Sequence, residues 1–476
     1  MKVDINKIAF VFPPSSLNSV GVENSFIPNG ILTLSKQLKG WRNDIDIKVF
    51  DGSVMGVPDI IESILKFSPQ LVGISALCGN YKPGKRILEA CHAAGIITMV
   101  GNHHANYLWE ILPMLPDEQL SAIDYIITGN SDIDTLRPLV EAIENGGSAM
   151  YQVPNLCYKT QGEWIRPQRI RYNLAKLATP DLSYISDFEP YFANYRNIFH
   201  RFHPDSEQVK PVNINFFKGC IQGATSPCIY CCLKDHKLQH TEPEVFWQHI
   251  SDLYYHYGFN YFFETANSLT SLCNIAFTHS RNYLEGIVHA MPDELKGKIG
   301  FMVYGRADEL NPEIIGLLKA MQVKRVVVGF DSGDPDLLKT GINKDNITLG
   351  MNYGVAKQLS DNGIQIYGCY VPGAKGETKT TLKTTRDEIL RIMELPHCCA
   401  IEYTSLAPMP GSGAWRKIRK DFFNENGVND VLDVEKIAKF WASKMAPGIS
   451  WEQVEEIKQE VKNEAAKWGV VFGGYY

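Results

Sequence analysis

Short apolar runs alternate with amphipathic stretches through the first third of the chain. We predict strands in "KIAFVFPP", "DIKVFDG", "PQLVGISAL", "IITMVGN" and "IDYIITGN", and helices between them in "NGILTLSKQLKG", "PDIIESILKF", "KPGKRILEACHAAG" and "DTLRPLVEAIENGG". Strict alternation of strand and helix is typical of a parallel sheet with helices on both faces. Residues 1–149 are therefore predicted to form a Rossmann-like, doubly wound α/β domain.

Small residues follow the predicted strands of this domain. Ligands of doubly wound sheets bind beyond the carboxyl ends of the strands, where small residues let a large ligand approach the backbone. The residues predicted at that edge are Gly52, Ser75, Gly101, Asn102, His103 and Gly129. Glycine and serine are equally suited to ordinary turns. No G-x-G-x-x-G follows the first strand, which disfavours a nicotinamide or flavin dinucleotide. No cysteine or carboxylate lies at ligand spacing from His103 and His104, so we expect loop histidines with hydrogen-bonded neighbours.

The alternation resumes after residue 210. Residues 150–209, rich in Pro, Arg and Tyr, are predicted to be a connector. Six strands follow, in "VNINFFKGC", "NYFFETANS", "IGFMVYGRADEL", "VKRVVVGFDSGD", "IQIYGCYVPG" and "AIEYTSLAPMPG". Six strands are too few for a closed eightfold barrel, so we predict a partial (β/α)6 TIM barrel over residues 210–415, with its chemistry at the carboxyl ends of the strands. Amphipathic periodicity then predicts a helical C-terminal region over residues 416–476.

Four of the eleven cysteines lie in "GCIQGATSPCIYCC", residues 219–232. Cys220 follows the first predicted barrel strand, and two residues separate Cys228 from Cys231. Three thiolates suit either a structural zinc with a fourth ligand such as His236, or an iron–sulfur cluster with one open iron. The spacing alone does not choose between these sites. Cys232 is a spare thiol beside either of them, and a thiol at an open cluster could bind a soft substrate.

The composition restricts the partners and the compartment. A net charge of −6 gives no basic excess for nucleic acid, so we expect a small-molecule or peptide substrate. The first residues contain no apolar run near the ~20 residues that span a bilayer and no cleavage site, which predicts a cytoplasmic protein without a membrane segment. An odd number of cysteines without a secretion signal favours reduced thiols over disulfides. The C-terminal helices carry mixed charges, which disfavours membrane-surface binding.

Read together with the barrel strands, the cysteine loop resembles that of the radical S-adenosylmethionine (SAM) enzymes. The signature of that family has three cysteines, with two residues between the last two and an aromatic residue before the third, here Cys220, Cys228, Tyr230 and Cys231. "YGRADEL" resembles the family's third strand, "GFDSGDPDLL" the fourth and "YVPGAKGET" the loop after the fifth. "LAPMPGSG" resembles the sixth-strand end of the subgroup in which a cobalamin-binding domain precedes the barrel. The likeness covers about residues 1–415.

The first cysteine gap departs from the family pattern. Seven residues separate Cys220 from Cys228, where three are usual in the family. Gly223 and Pro227 would let the longer loop turn back.

The resemblance implies four sets of site residues. The catalytic residues, which are also the ligands of a [4Fe–4S] cluster, would be Cys220, Cys228 and Cys231. The SAM-binding residues would be Tyr230, Glu264, Arg306, Asp331, Ser332, Gly373 and Gly376. The cobalamin-binding residues would be Ser75, Gly101, Asn102, His103 and Gly129. The substrate would meet Asn267, Tyr304, Tyr403 and Cys232.

The implied reaction is reductive cleavage of SAM, with electrons from a flavodoxin- or ferredoxin-type donor. The open iron would chelate the amino and carboxylate groups of SAM, and one electron would release a 5′-deoxyadenosyl radical. Arg306 would pair with the methionine carboxylate, and Asp331 or Ser332 would accept hydrogen bonds from the amino group or the ribose. Arg306 could instead form an ion pair with Asp308 or Glu309. With cobalamin, the enzyme would be a C-methyltransferase that acts on an unactivated carbon in specialised metabolism.

Other functions remain open at this stage. The D-x-H-x-x-G loop, which supplies a cobalt ligand in other cobalamin proteins, is absent, as is usual in the radical subgroup. Without cobalamin, the enzyme could catalyse a radical elimination or rearrangement. It could also transfer the 3-amino-3-carboxypropyl group of SAM to arsenite, because "YCCLKD" resembles, over Cys231 to Lys234 only, the R-C-C-L-K-C stretch of the arsinothricin-pathway enzyme. The zinc alternative would make the chain a non-enzymatic binding module.

Thiols are the ligands that arsenite prefers, and the further cysteines fall into two groups. We predict Cys232, Cys273 and Cys369 near strand ends, whereas Cys398 and Cys399 should lie at the far end of the barrel.

Overall fold

The structure is a computed structural model that describes residues 3–15, 25–115, 117–129, 133–166, 168–170, 174, 179–202, 208–233, 237–275, 282–427 and 433–473. The chain divides into two compact units. The first comprises Met1–Leu17, Glu23–Tyr191 and Asn426–Asn429, and the second comprises Asn18–Val22, Phe192–Glu425 and Asp430–Tyr476. Each unit is built on one large sheet.

The sheet of the first unit has seven strands in the order β2-β1-β3-β4-β5-β6-β7. Its strands are β1 (Lys7–Phe12), β2 (Asp46–Asp51), β3 (Leu71–Ser75), β4 (Ile97–Gly101), β5 (Tyr125–Ile127), β6 (Leu156–Thr160) and β7 (Glu163–Ile165). Strands β1 to β5 pair in parallel, and β6 and β7 extend the sheet antiparallel. The order reverses between β1 and β3, and in such sheets this is where ligands bind.

Helices cover this sheet on both faces. They are α1 (Asn29–Trp41), α2 (Val57–Phe67), α3 (Tyr81–Ala93), α4 (His103–Ile111), α5 (Asp117–Leu120) and α6 (Ile133–Glu144). Because crossovers between parallel strands are right-handed and the order reverses at β1, α1 and α6 pack together on one face and α2 and α3 on the other. Ile31 of α1 and Leu139 of α6 share a buried core with Phe10 of β1.

The doubly wound prediction for this half is confirmed, and the structure adds elements that the sequence did not indicate. Residues 103–111, of which only His103 and His104 were expected in a loop, form α4, whose first turn is capped by the Asn102 side chain at 2.7 Å from the His103 N–H. Strands β6 and β7 come from the segment predicted as a connector. They pair with the short strand β5 and so cover its edge.

The sheet of the second unit is an open, curled parallel sheet, which confirms the partial barrel. The strands of this half are β8 (Pro211–Ile214), β9 (Phe217–Lys218), β10 (Gln239–His240), β11 (Tyr261–Glu264), β12 (Gly300–Arg306), β13 (Val323–Asp331), β14 (Gln365–Tyr370), β15 (Cys398–Tyr403) and β16 (Val471–Gly473). The order in the main sheet is β8-β11-β12-β13-β14-β15-β16, and β9 and β10 form a separate ribbon. The six predicted strands are present, and β16 from the end of the chain adds a seventh beside β15.

Helices of the second half connect these strands and form the predicted helical C-terminal region. They are α7 (Glu189–Phe199), α8 (Ile221–Thr225), α9 (Pro243–Tyr257), α10 (Tyr283–His289), α11 (Pro312–Ala320), α12 (Pro335–Leu337), α13 (Met351–Asp361), α14 (Lys379–Met393), α15 (Gly413–Asn426), α16 (Val434–Met445) and α17 (Trp451–Trp468). Among the described residues, no helix combines the length and apolarity needed to cross a membrane.

A buried arginine closes the amino end of the barrel. The Arg325 guanidinium donates to the Tyr195 hydroxyl at 2.9 Å and to Gln365 Oε1 at 2.6 Å, and it lies 3.7 Å from the centre of the Phe199 ring. Cys398 and Cys399 begin β15 and are buried. Since the amino end of the barrel is filled, the carboxyl end is left for chemistry.

Candidate active site

The cluster loop, residues 219–232, lies beyond the carboxyl end of β8. Polar side chains at the end of β11 and just after it hold the segment that leads into the loop. Gly219 has φ 97°, a conformation that glycine adopts readily, and its N–H donates to Asn267 Oδ1 at 3.1 Å. The fully buried Glu264 accepts hydrogen bonds from the N–H groups of Phe216 at 3.1 Å and Ala266 at 3.1 Å. Cys220 then immediately precedes α8.

Five of the seven residues in the long first gap form helix α8. Gly223 lies within α8 instead of in the expected turn. Gln222 of α8 is 9% exposed, and its Nε2 donates to the carbonyl groups of Ser226 at 2.5 Å and Asn343 at 2.7 Å. Its Oε1 accepts a hydrogen bond from Arg306 at 3.2 Å. The added length therefore ties the cluster loop to the end of β12.

The second part of the cluster loop is a tight turn held from two sides. The Cys231 N–H donates to the Cys228 carbonyl at 2.9 Å. Between them, the Ile229 N–H donates to the Ile342 carbonyl at 2.9 Å, and the Ile229 carbonyl accepts from the Ala414 N–H at 2.8 Å. Cys228 and Cys231 are thus positioned by backbone groups distant in the sequence.

The donor set of the loop fits an iron–sulfur cluster. Cys220, Cys228 and Cys231 are half-buried free thiols. Burial raises the pKa of Cys228, an effect that Lys344 opposes, and burial followed by nearby thiols raises the pKa of Cys231 to about 12. Thiols in this setting are deprotonated when they bind a metal.

Those pKa shifts also reveal how the three thiols are arranged. Cys220 and Cys228 both contribute to the pKa of Cys231, so the three thiols lie near one another. Within the described ranges, however, no three His, Cys, Asp or Glu side chains converge closely enough to hold one metal ion. A cubane cluster does not require such convergence, because each thiolate binds a different iron. His236, the possible fourth zinc ligand, lies outside the described residues, as do Lys234 and Asp235.

Arg306 ends β12 beside the cluster loop and is 7% exposed. Its NH2 group lies 2.7 Å from Asp308 Oδ2, and its Nε lies 3.7 Å from Glu309 Oε1, so the structure contains the ion pairs considered from the sequence. Burial acts to lower the pKa of Arg306, but Asp308, Glu309 and Cys220 together outweigh it and the net shift is upward. In the ranges that the structure describes, neither Arg306 Nε nor Asp308 Oδ1 has a hydrogen-bond partner. The pair therefore retains hydrogen-bonding capacity for a further polar group.

A buried lysine, which was not singled out from the sequence, joins Asp331 to the loop. Asp331 has φ 63° at an irregularity in the pairing of β13 with β14. Its Oδ2 lies 2.6 Å from Lys344 Nζ and accepts a hydrogen bond from the Tyr230 hydroxyl at 2.9 Å. Lys344 also donates to the Gly329 carbonyl at 2.7 Å. Since Lys344 and Asp331 both influence the pKa of Cys228, this buried pair lies beside a predicted cluster ligand.

Polar side chains continue around the barrel in one layer. The strand register aligns Arg306 with Gly329, Gly329 with Cys369, and Cys369 with Glu402. Glu402 accepts hydrogen bonds from the hydroxyl of Tyr367 at 3.2 Å and from Thr404 Oγ1 at 3.2 Å. Carboxylate, thiol and guanidinium groups therefore share one level near the carboxyl ends of the strands.

The other predicted SAM-binding residues lie in segments that hydrogen bonds hold to neighbouring helices. Ser332 is buried, and its hydroxyl is 3.0 Å from that of Thr385. Gly373 and Gly376 have φ 87° and 86°, and both are held by α16: Trp441 Nε1 donates to the Gly373 carbonyl at 2.8 Å, and the Gly376 N–H donates to the Met445 carbonyl at 2.8 Å.

The predicted substrate residues are spread over the barrel. Asn267 is exposed, and its Oδ1 accepts the hydrogen bond from the Gly219 N–H. Tyr304 is 36% exposed on an otherwise buried strand. Tyr403 is fully buried, and its hydroxyl has no hydrogen-bond partner in the described part of the chain. Cys232 is half-buried next to Cys231.

In the first unit, most of the predicted cobalamin residues meet at one edge of the sheet. Ser75 and Gly101 end β3 and β4 in register, and Asn102 Nδ2 donates to Ser75 Oγ at 2.9 Å. Asn102 has φ 73° and ψ −165°, a backbone conformation that is costly for residues other than glycine. His103 is exposed beside it, and Gly129, with φ 74°, follows β5.

Gly52, predicted at the same edge, has a different role. A Cβ at Gly52 would lie 2.1 Å from the Pro14 nitrogen. Glycine is thus required there by the close approach of the chain after β1.

The same edge contains two buried, stacked rings, those of His104 and Tyr81. His104 is 2% exposed, and its ring stacks on that of Tyr81 with 4.0 Å between the ring centres. Within the described part of the chain, neither ring nitrogen of His104 has a hydrogen-bond partner, nor does the Tyr81 hydroxyl. The expectation of a hydrogen-bonded loop histidine is therefore wrong for His104, which lies in a helix with its ring unsatisfied.

No protein-family model matches the sequence, and no curated protein is similar to it. Solved structures are similar in fold over most of the chain. The radical SAM methyltransferase TsrM from Kitasatospora setae, solved with cobalamin and a [4Fe–4S] cluster bound, matches 89% of this chain and 76% of its own at 17% identity, with a TM-score of 0.64. The cobalamin-dependent SAM radical enzyme OxsB, solved with aqua-cobalamin and SAM bound, matches 98% of this chain and 72% of its own at 13% identity, with a TM-score of 0.69.

These identities are too low to transfer an activity, but the likeness in fold covers 89–98% of the chain and therefore extends over both units. The resemblance inferred from the cysteine loop and the barrel strands is therefore confirmed at the level of structure. The chain has the fold of the cobalamin-dependent radical SAM enzymes.

Proposed function

We propose that this protein is a radical SAM enzyme that reductively cleaves SAM at a [4Fe–4S] cluster held by Cys220, Cys228 and Cys231. The observation that carries the proposal is the assembly of these thiols beside Arg306 and the Asp331–Lys344 pair, at the carboxyl edge of a partial barrel. The cluster would supply one electron and an open iron for the amino and carboxylate groups of SAM.

Arg306 and Asp331 would contribute binding and orientation. Arg306 would donate from its Nε, which makes no hydrogen bond within the described residues, to the methionine carboxylate, with Asp308 and Glu309 holding the guanidinium in place by ion pairs. Asp331 would accept a hydrogen bond from the amino group or ribose of SAM, and Lys344 and Tyr230 would fix its carboxylate. Burial of these groups strengthens their electrostatic interactions, since the effective dielectric constant is lower than in water.

We further propose that the enzyme is a cobalamin-dependent C-methyltransferase acting on an unactivated carbon of a small molecule or peptide. Cobalamin would carry the methyl group and would lie at the edge formed by Ser75, Gly101, Asn102, His103 and Gly129. TsrM is described as a methyltransferase and was also solved with tryptophan as substrate, which supports methyl transfer and a small-molecule substrate. A flavodoxin- or ferredoxin-type protein would supply the electron.

Metal analysis of anaerobically purified protein, produced with cobalamin supplied, tests both parts. We expect about four irons and one cobalt per chain, together with 5′-deoxyadenosine or S-adenosylhomocysteine after incubation with SAM and a reductant. One zinc without iron would overturn the radical proposal.

Iron without cobalt would leave SAM cleavage standing and overturn methyl transfer. Aminocarboxypropyl transfer to arsenite, or a radical elimination or rearrangement, would then be the reaction to assay. The products differ: 5′-methylthioadenosine accompanies aminocarboxypropyl transfer, whereas 5′-deoxyadenosine accompanies hydrogen abstraction.

A further inference from the structure

Three polar atoms without partners lie together at the carboxyl edge of the first unit's sheet. Tyr81 is the first residue of α3, which follows β3, and His104 is the second residue of α4, which follows β4. Strands β3 and β4 are neighbours, so the first turns of both helices begin at the same edge. The Tyr81 hydroxyl and both ring nitrogens of His104 are buried and have no hydrogen-bond partner among the residues that the structure describes.

We propose that Tyr81 and His104 hydrogen-bond the carboxamide side chains of a corrinoid bound at this edge. The inference rests on the cobalamin part of the proposed function and names two residues for it. A primary carboxamide both donates and accepts hydrogen bonds, as do a phenol and a neutral imidazole. The corrin ring carries several such amides around its rim.

The cost of the unsatisfied atoms supports a ligand. A buried polar atom without a partner destabilises a fold by about 1–3 kcal/mol, so such atoms are rare unless water or a ligand meets them. Burial lowers the pKa of His104 to about 3, so the ring is neutral and carries one donor and one acceptor. A phenylalanine or leucine at these positions would pack without that cost.

The neighbouring backbone leaves room for a ligand to reach this edge. A Cβ built on Gly101 would meet only the Ile74 carbonyl oxygen, at 3.9 Å. Asn102 and His103, between Gly101 and His104, are exposed. The costly backbone conformation of Asn102 is held by its hydrogen bond to Ser75, which keeps the end of β4 in place.

Coordination of cobalt by His104 is the competing role, and the surroundings of the ring disfavour it. A histidine that binds a metal almost always donates its other N–H to a carboxylate, carbonyl or water. Neither nitrogen of His104 has such a partner among the described residues. The ring contacts are instead aromatic, with Tyr81 stacked on it and the Tyr107 ring at 5.7 Å, edge to face.

The test is corrinoid binding by the full-length protein, measured by absorbance titration with hydroxocobalamin. We expect His104→Leu and Tyr81→Phe each to raise the Kd about 5- to 30-fold, as loss of one or two hydrogen bonds predicts. His104→Gln restores an amide that can donate and accept, so its Kd should lie within about threefold of wild type. His92→Leu is the matched control, because His92 lies near the other end of α3 and pairs with Asp124.

A second measurement separates this role from a purely structural one. Without corrinoid, His104→Leu should melt at the same temperature as wild type or higher, because the variant removes unsatisfied buried atoms. Weaker binding by an equally stable protein is the expected combination. Should His104→Leu not fold, His104→Gln and Tyr81→Phe still decide the question.

Three results would overturn the proposal, each in its own way. If the wild type binds hydroxocobalamin and both His104→Leu and Tyr81→Phe bind equally well, water alone satisfies the three atoms. Electron paramagnetic resonance of the reduced protein with cobinamide, which lacks the nucleotide base, would show nitrogen splitting if His104 coordinates cobalt, and we expect none. A wild type that binds no corrinoid would remove cobalamin from the proposed function as well.

Discussion

The four cysteines of the cluster loop are similar in exposure, so their burial does not distinguish the three predicted cluster ligands from the fourth thiol. Cys220, Cys228, Cys231 and Cys232 are all half-buried. The spacing does distinguish them, since Cys232 is the only one outside the three-cysteine signature. Side-chain chemistry and sequence position together therefore make a prediction that burial alone could not make.

We expect Cys220→Ala, Cys228→Ala and Cys231→Ala each to lose most of the bound iron and to cleave SAM at less than about 1% of the wild-type rate, because a cluster needs all three thiolates. Cys232→Ala is the matched control and should keep both properties. Iron content and 5′-deoxyadenosine formation are the measurements. An active triple variant would contradict the cluster assignment.

We expect the positive charge of Lys344 to affect the reduction potential of the predicted cluster. Burial acts to lower the pKa of Lys344, but Asp331 and then Cys228 outweigh it, and the net shift is upward. The ammonium is therefore held charged next to a predicted cluster ligand. A positive charge in that position stabilises the electron that reduction adds to a cluster.

We expect Lys344→Gln to lower the reduction potential of the cluster. At an effective dielectric constant of about 20, one charge contributes about 4 kcal/mol at about 4 Å and about 2 kcal/mol at about 8 Å, so the expected drop is on the order of 100 mV for one electron. A redox titration followed by electron paramagnetic resonance measures it.

The variant Lys344→Gln also leaves the buried Asp331 carboxylate unpaired, which costs stability. The double variant Lys344→Gln/Asp331→Asn keeps polar groups of similar size without either charge and is the appropriate control. Its potential should lie between those of Lys344→Gln and the wild type. Equal potentials in all three proteins would show that the pair does not act on the cluster.

The limits of sequence reasoning are also clearest at single residues. Arg306 and Asp331 were found because they lie in strand motifs. Gln222 and Lys344 were missed because their partners are far away in sequence: Gln222 contacts Asn343, 121 positions on, and Lys344 lies in a loop of polar residues without a motif. Only the assembled barrel brings these groups together.

At the scale of elements, apolar periodicity predicted the longer strands correctly. It missed elements that are short or that pair with a distant part of the chain. The five parallel strands of the first unit and the six predicted barrel strands are present. Strand β16 covers three residues, and its partner β15 is more than sixty residues away, so its local sequence "VFG" carries no strand signal. Helix α4 begins with two histidines, so its sequence shows no clear amphipathic pattern and no helix was predicted there.

Helices α13 and α14 pack on β14 through a buried polar contact that should depend on pH. Glu388 of α14 accepts hydrogen bonds from Asn352 at 3.0 Å and from Tyr370 at 3.2 Å, and burial raises its pKa to about 7. The folded state therefore holds the proton more tightly than the unfolded chain. The stabilising effect of the protonated carboxyl is complete below pH ~4.5 and is lost as the pH rises through about 7.

We expect Glu388→Gln to weaken this dependence, because a neutral amide does not ionise. Relative to wild type, the variant should gain about 1–3 kcal/mol in free energy of unfolding between pH 5 and pH 8. Denaturant unfolding at the two pH values measures it. Glu394→Gln, at the exposed end of α14, is the control and should leave the dependence unchanged.

At the scale of the whole molecule, each unit has its own sheet, and the compact units divide at a different position from the predicted domains. The first domain was predicted to end at residue 149, whereas the first compact unit continues to Tyr191. Composition made residues 150–209 resemble a connector, because their strands are short and rich in polar residues. The pairing of β6 with β5 instead makes the first part of this segment belong to the first unit.

The segment after residue 149 completes the core of the first unit. Val153 and Leu156 belong to the core that contains Phe10, and β6 pairs with all three residues of β5. Farther on, the Tyr191 hydroxyl donates to Asp51 at 2.6 Å in a buried contact. We infer that an independently folding first domain extends to about residue 191.

Two fragments of the chain, residues 1–149 and 1–191, test that boundary. Removing β6 and β7 exposes the edge of β5 and takes away buried apolar side chains, each of which stabilises by about 1.5–3 kcal/mol, so a loss of several kcal/mol can exceed the stability of a domain of this size. We expect fragment 1–191 to unfold cooperatively and fragment 1–149 to be unfolded or aggregated, as measured by circular dichroism during thermal melting. An intermediate fragment ending at residue 170 keeps both strands but lacks the Tyr191–Asp51 contact, and it should fold with reduced stability. If fragment 1–149 melts as cooperatively and at the same temperature as fragment 1–191, the added strands belong to the connector and the boundary lies where the sequence pattern placed it.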